Sequence, residues 1–125
     1  MHKILIVEDD VLLLRMYERL FEAEGFKVST AVNGEDFLQT VAKDKPSVIL
    51  LDIMMPKMDG LHALKILKAD DRYKTIPVFV LTNVGSDAVI KDAFEIGITQ
   101  YITKSEVNND ELIKKIKDQL KTTQP

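Results

Sequence analysis

The chain has 125 residues, with 17 Lys and Arg against 20 Asp and Glu, for a formal charge of −3. At 46% apolar and 30% charged it has the composition of one compact globular domain, not of a disordered chain. With no cysteine, disulfides, thiolate nucleophiles and Cys-based zinc sites are excluded; His2 and His62 alone fall short of a typical zinc site, and the acidic balance argues against direct nucleic-acid binding. Along the chain, five short runs alternate with five helical patterns. The first run, Ile4–Val7, begins right after Met1-His2-Lys3, leaving no room for a signal peptide, and no apolar run approaches the length of a membrane span. A cytoplasmic domain with no membrane insertion is therefore expected. Leu13, Met16, Tyr17, Leu20 and Phe21 mark one stripe of a first helix, stopped at Gly25. The second run is Lys27–Ala31, and a second helix carrying Phe37, Leu38 and Val41 starts after the Asn33-Gly34 turn signal. Val48–Leu51 is the third run, followed by a helix with Leu61, Leu64, Ile66 and Leu67. Val78–Leu81 is the fourth, followed by Val89, Ile90, Ala93 and Phe94 with Gly97 past the helix end. A weaker fifth run, Gln100–Ile102, leads to Leu112, Ile113, Ile116 and Leu120, opened by the capping-box spacing of Asn108 and Glu111.

Three of the five runs are apolar at every position, which is how strands covered on both faces read. Repeated strand–helix units then predict an α/β domain: a doubly wound five-stranded parallel sheet with helices on both faces. In such folds ligands bind at the carboxyl ends of the strands. Glu8-Asp9-Asp10 follows the first run, Asp52 the third, Thr82 the fourth, and Lys104 lies just beyond the fifth. Asp10 also suits the N-cap of the first helix. Crowded carboxylates repel one another unless a cation is present, and oxygen-only ligands favour a hard ion such as Mg²⁺. Such an ion beside a carboxylate, an ammonium and a hydroxyl suits phosphoryl transfer to the carboxylate. The residues alone thus point to a metal-dependent aspartyl-phosphate site.

The sequence resembles the receiver domain of two-component response regulators, including the chemotaxis-type single-domain proteins. The resemblance rests on Ile4-Leu5-Ile6-Val7-Glu8-Asp9-Asp10, on Leu51-Asp52-Ile53-Met54-Met55-Pro56-Lys57-Met58-Asp59-Gly60, on Pro77-Val78-Phe79-Val80-Leu81-Thr82, and on Gly97 with Tyr101 and Lys104. It implies the flavodoxin-like receiver fold with strand order 2-1-3-4-5, over a domain spanning 1–122 with a polar tail at 123–125. It further implies Asp52 as phosphoacceptor, fed by a sensor histidine kinase or a histidine phosphotransfer protein. Asp9 and Asp52 would bind Mg²⁺ (or Mn²⁺ in its place), with the Met54 backbone carbonyl, and Glu8 would do so through water. Thr82, Lys104 and the Asn83 backbone would hold the phosphoryl oxygens. Thr82 and Tyr101 would form the switch that alters the helix 4–strand 5–helix 5 surface for a downstream protein target, in a monomer or weak homodimer. The protein would catalyse only its own modification, and would not be an enzyme in the ordinary sense.

The sequence departs from the family pattern at several places. Ser105 follows Lys104 where the family has a cis-linked proline, predicting either a trans bond or a strained cis one. Asn83 replaces Ala or Gly beside the phosphoryl pocket, and Ile98 replaces Ala after Gly97. Met54 and Val84, at positions that influence hydrolysis, are both apolar and cannot orient a water, so slow self-dephosphorylation is expected. Other functions fit less well. An aspartate-nucleophile phosphatase would want an acid at Met54, and a flavodoxin-like nucleotide site would want a phosphate-cradling loop in place of Glu8-Asp9-Asp10. Lys114, Lys115, Lys117 and Lys121 read as a solvated helix face, His62 as a surface residue, and Asp59-Gly60 as a turn. A receiver-like interaction module working without phosphorylation remains the alternative.

Overall fold

The computed structural model describes residues 2–52, 60–82 and 87–123, the side chains of 122 and 123 excepted. Five strands, β1 (Lys3–Val7), β2 (Lys27–Ala31), β3 (Val48–Leu51), β4 (Val78–Thr82) and β5 (Gln100–Thr103), alternate with five helices. The helices are α1 (Val11–Ala23), α2 (Gly34–Asp44), α3 (Gly60–Ala69), α4 (Asp87–Ile96) and α5 (Asn109–Thr123). All pairings are parallel, in the order β2-β1-β3-β4-β5, as expected. β3 and β4 are buried at every position, which accounts for their unbroken apolar runs, whereas the edge strand β2 buries only Ala31 fully.

Strand alternation sorts the core into two layers. Leu5, Val7, Ile49, Leu51, Val78 and Val80 pack with Phe37 and Val41 of α2, Ala63, Leu64 and Leu67 of α3, and Ala93 of α4. On the other face Ile4, Ile6, Val48, Leu50, Phe79, Leu81 and Ile102 pack with Leu14, Tyr17 and Phe21 of α1 and Leu112, Ile113, Ile116 and Leu120 of α5. The helix stripes differ from the sequence reading at their flanks. Leu14, not Met16, belongs to the buried stripe of α1; Met16, Ile66 and Phe94 are 40%, 45% and 51% exposed. Each sits one position away from a buried neighbour, and spacing alone does not resolve a rotation of that size.

The caps follow local chemistry. The Asp10 carboxylate accepts from the Leu12 and Leu13 N–H groups and so closes the first turn of α1. Asn33 caps α2, whose first residue is Gly34, so this helix starts within the turn signal rather than after it. Asn108 and Glu111 exchange side chain-to-backbone bonds at 2.8 and 3.3 Å, a capping box. Past α1 and α4, Gly25 and Gly97 adopt φ of 89° and 118°, a conformation natural to glycine. Because every strand pairing is parallel, the carboxyl ends of β1, β3, β4 and β5 lie along one edge of the sheet.

Candidate functional site

Two of the acids extend strands by one residue. The Glu8 N–H donates to the Ala31 carbonyl and the Asp52 N–H to the Val7 carbonyl, each at 3.0 Å, so the parallel ladders carry both residues past the formal strand ends. By the same alternation that places Ile4 and Ile6, and Val48 and Leu50, Glu8 and Asp52 fall on the α1/α5 face. Lys104 follows Ile102 onto that face. Its ammonium lies 2.7 Å from Glu8 Oε1 and 3.4 Å from Asp52 Oδ2, joining residues 96 and 52 positions apart. The Asp10 N–H donates to the other Glu8 oxygen at 3.2 Å. Asp9 completes an acidic group in which one carboxylate oxygen each from Glu8, Asp9 and Asp52 lies within 4.8 Å of the others.

The electrostatics follow from burial. Glu8 is 3% exposed and Asp52 8%. Burial pushes the Glu8 carboxyl up to about 7; the Lys104 and Asp10 hydrogen bonds pull against this, and the Asp52 charge adds to it. Burial would lower Lys104, but its bond to Glu8 and the charges of Asp52 and Glu8 hold it above its ordinary value. Among the described residues, three carboxylates thus face one ammonium, an excess of negative charge in a largely buried pocket. The donors are all hard oxygens with no histidine or thiolate among them, which fits Mg²⁺.

Thr82 is 1% exposed and lies on the opposite parity of β4 from Phe79 and Leu81. Tyr101 pairs in register with Val80, is half-buried, and packs against the same α2/α3/α4 layer. Burial and the charge of Asp52 both raise its phenol. The strand edge therefore carries Glu8, Asp52 and Lys104 toward one face, and Thr82 and Tyr101 toward the other.

A family model, that of the response regulator receiver domain, matches residues 4–117. The chain belongs to this family. This receiver domain is 38% identical over 117 residues to the transcriptional regulatory protein CpxR homolog of Haemophilus influenzae, covering 94% of the chain and 49% of that protein. It is 37% identical to response regulator PleD of Caulobacter vibrioides, covering 82% of the chain and 22% of that protein. The chain thus spans about half or less of these curated relatives. With protein PilG of Pseudomonas aeruginosa it shares 32% identity, covering 92% of the chain and 84% of that protein. Among solved structures, a CheY-like receiver domain protein from Methanospirillum hungatei superposes with a TM-score of 0.90 at 29% identity, covering 98% and 95% of the two chains. Vibrio cholerae chemotaxis protein CheY4 gives 0.87 at 28%, covering 94% and 98%.

Of the residues singled out in the receiver sequence, the structure brings Glu8, Asp9, Asp52 and Lys104 together, with Thr82 at the adjacent strand end. Met54, Asn83 and Val84 lie outside the described residues. The Lys104–Ser105 bond is trans and opens a short 3-10 turn, Lys104–Glu106, so the first of the two expected geometries holds. Ile98 is buried in the α2/α3/α4 layer, and His62 is exposed as expected. In the sequence Tyr17 belongs only to a core stripe. It is 7% exposed, and burial raises its phenol above the ordinary value, with the Lys104 charge pulling against this and those of Glu8 and Asp52 adding to it. The available signal was a hydroxyl in an apolar stripe, two turns after the strand-end acids.

Proposed function

We propose that this receiver domain is a phosphoacceptor switch in a two-component phosphorelay, with Asp52 accepting a phosphoryl group from the phosphohistidine of a sensor kinase or phosphotransfer protein. The observation that carries the reading is the meeting of Glu8, Asp9, Asp52 and Lys104, four residues from three separate parts of the chain, at one edge of the sheet. A bound Mg²⁺, or Mn²⁺, held by Asp9, Asp52 and the Met54 carbonyl and by Glu8 through water, would supply positive charge against the carboxylates and the incoming phosphoryl oxygens. An Asp52 carboxylate oxygen attacks phosphorus; the bond from phosphorus to the donor imidazole nitrogen breaks, and its electron pair leaves with the imidazole. Lys104, which already contacts both Glu8 and Asp52, shifts its ammonium toward a phosphoryl oxygen. Thr82 and the Asn83 backbone donate to others, and Tyr101 follows the displaced Thr82 inward. That movement alters the α4–β5–α5 surface, where Phe94 stands 51% exposed, and so controls binding of a downstream protein.

The receiver domain modifies only its own Asp52, and what it passes on is a changed contact surface. No helix among the described residues is long and apolar enough to cross a membrane, which suits work in the cytoplasm beside a kinase's signalling domain. Apolar Met54 and Val84 favour a long-lived phosphoryl group. The test is intact mass spectrometry after incubation with Mg²⁺ and a small acyl phosphate: the protein gains a single phosphoryl group, and chelation of Mg²⁺ prevents the gain. A protein that stays unlabelled with Mg²⁺ present overturns this reading in favour of an unphosphorylated interaction module.

The first turn of α1 adds a prediction about the donor. Leu12, just past the Asp10 cap, is 84% exposed, and Val11 beside it 55%, next to the acidic edge. Apolar side chains held out at this place offer a contact to a protein donor and none to a small molecule. Replacing Leu12 by aspartate is expected to slow transfer from a phosphohistidine protein by about tenfold, the scale of one interface anchor, and to leave labelling by acyl phosphate unchanged. Equal slowing with both donors would show that Leu12 acts on the site itself.

A further inference from the structure

Tyr17 carries a hydroxyl on the otherwise apolar buried stripe of α1. Its ring belongs to the α1/α5 layer between Leu14 and Phe21. A phenol hydroxyl there is costly unless it finds polar partners. A cavity of about 10 Å³ lies between α1 and the strand ends, lined by Ile6, Val7, Glu8, Tyr17, Leu50, Asp52 and Leu81. Tyr17 reaches it from the helix, and Glu8 and Asp52 from the sheet; Lys104 does not line it. The volume is near the lower limit for one buried water, which needs two to four polar partners, and three polar side chains border the space.

We propose that Tyr17 is a positioning residue of the phosphoacceptor site: one water in this cavity, shared by its hydroxyl and the carboxylates of Glu8 and Asp52, holds both acids from the α1 side. Lys104 holds the same two acids by direct bonds from outside the cavity. Each carboxylate then gains a tether on the α1 side besides the bond from Lys104, so its remaining oxygen lone pairs present a fixed arrangement to the cation and to phosphorus. Fixing the donors in advance is what a small, strictly octahedral ion such as Mg²⁺ requires. This assignment rests on the aspartyl-phosphate reading above and adds to it a residue that never touches the phosphoryl group.

Tyr17→Phe removes the hydroxyl and keeps the ring, so it separates positioning from packing. Calorimetric titration of the unphosphorylated protein with Mg²⁺ is expected to show about tenfold weaker binding in Tyr17→Phe, the scale of one hydrogen bond to a charged group, with the thermal midpoint little changed. Acyl-phosphate labelling should slow at low Mg²⁺ and recover at saturating Mg²⁺, which a packing defect would not do. An independent readout uses the parent protein. With ¹³C-tyrosine, and with Tyr73 and Tyr101 assigned by their phenylalanine variants, the Tyr17 ring carbon bearing the hydroxyl should shift on Mg²⁺ addition. A parent that takes up both Mg²⁺ and a phosphoryl group, while Tyr17→Phe matches it within twofold or the Tyr17 resonance stays fixed, overturns the assignment alone. A parent that takes up neither overturns the phosphoacceptor reading and this assignment with it.

Discussion

Replacing Lys104 with methionine is expected to lower the stability of the metal-free protein by about 3 kcal/mol near pH 8, as removal of one partner from a buried ion pair generally does. The side chain is 14% exposed, against 4% for Glu8 and 9% for Asp52, so solvent screens these contacts little. Methionine keeps the apolar stem and removes only the charge. Glu8 then loses its 2.7 Å partner while Asp52 and Asp9 remain beside it. Exposed pairs such as Arg15–Glu18 or Lys74–Asp71 would show almost nothing in the same experiment.

The pH dependence of this loss has a definite sign. Glu8 titrates near 7 in the folded protein against a reference of 4.5, so between these values the folded state binds the extra proton. Folding therefore gains stability as pH falls through that window and loses it as pH rises, the reverse of an ordinary salt-bridged carboxylate. With Lys104 gone, one of the influences that lowers the Glu8 value goes too, and the window extends upward. The cost of Lys104→Met should thus shrink to about 1 kcal/mol or less near pH 5, where Glu8 is already neutral in the parent. Urea unfolding at the two pH values measures it. An equal loss at both would mean that Lys104 stabilises through its stem and not through its charge.

Much of this site was legible because a parallel strand has a fixed parity. Ile4-Ile6-Glu8, Val48-Leu50-Asp52 and Ile102-Lys104 each step to the same face, so acids and amine at matching strand ends had to meet. Thr82 and Tyr101 step to the other face by the same count. The fold was legible for a related reason, since strands buried on both faces leave unbroken apolar runs. What sequence could not resolve was rotation and reach. Met16, Ile66 and Phe94 satisfy helical spacing yet face outward, because apolar residues flank the buried stripe on both sides and only packing chooses among them. A four-carbon lysine stem can reach either acid, so the shorter approach of Lys104 to Glu8 than to Asp52 had no sequence signal. Nor did Tyr17 reveal that it lines a small cavity together with Glu8 and Asp52.

Asp52→Asn is expected to abolish phosphoryl uptake altogether and, in the same protein, to raise metal-free stability by about 1 kcal/mol. The loss is chemical, because an amide nitrogen or oxygen is too weak a nucleophile to displace the donor imidazole. The gain comes from electrostatics. Asp52 acts on Glu8 through both its charge and a side-chain hydrogen bond, and each makes ionised Glu8 harder to bury. Asparagine occupies nearly the same volume without the charge, and Lys104 keeps its 2.7 Å bond to Glu8. The repulsion that stays in the parent is what a divalent ion relieves, so added Mg²⁺ should stabilise the parent more than the variant. Intact mass after acyl-phosphate treatment reads the first effect, and urea unfolding with and without Mg²⁺ reads the second. A residue kept for structure would lose stability together with function; opposite signs mark one kept for chemistry. Should Asp52→Asn be less stable than the parent in the absence of metal, Asp52 would be a structural partner of Lys104, and the crowding of three carboxylates would not be the source of the site's affinity for a cation.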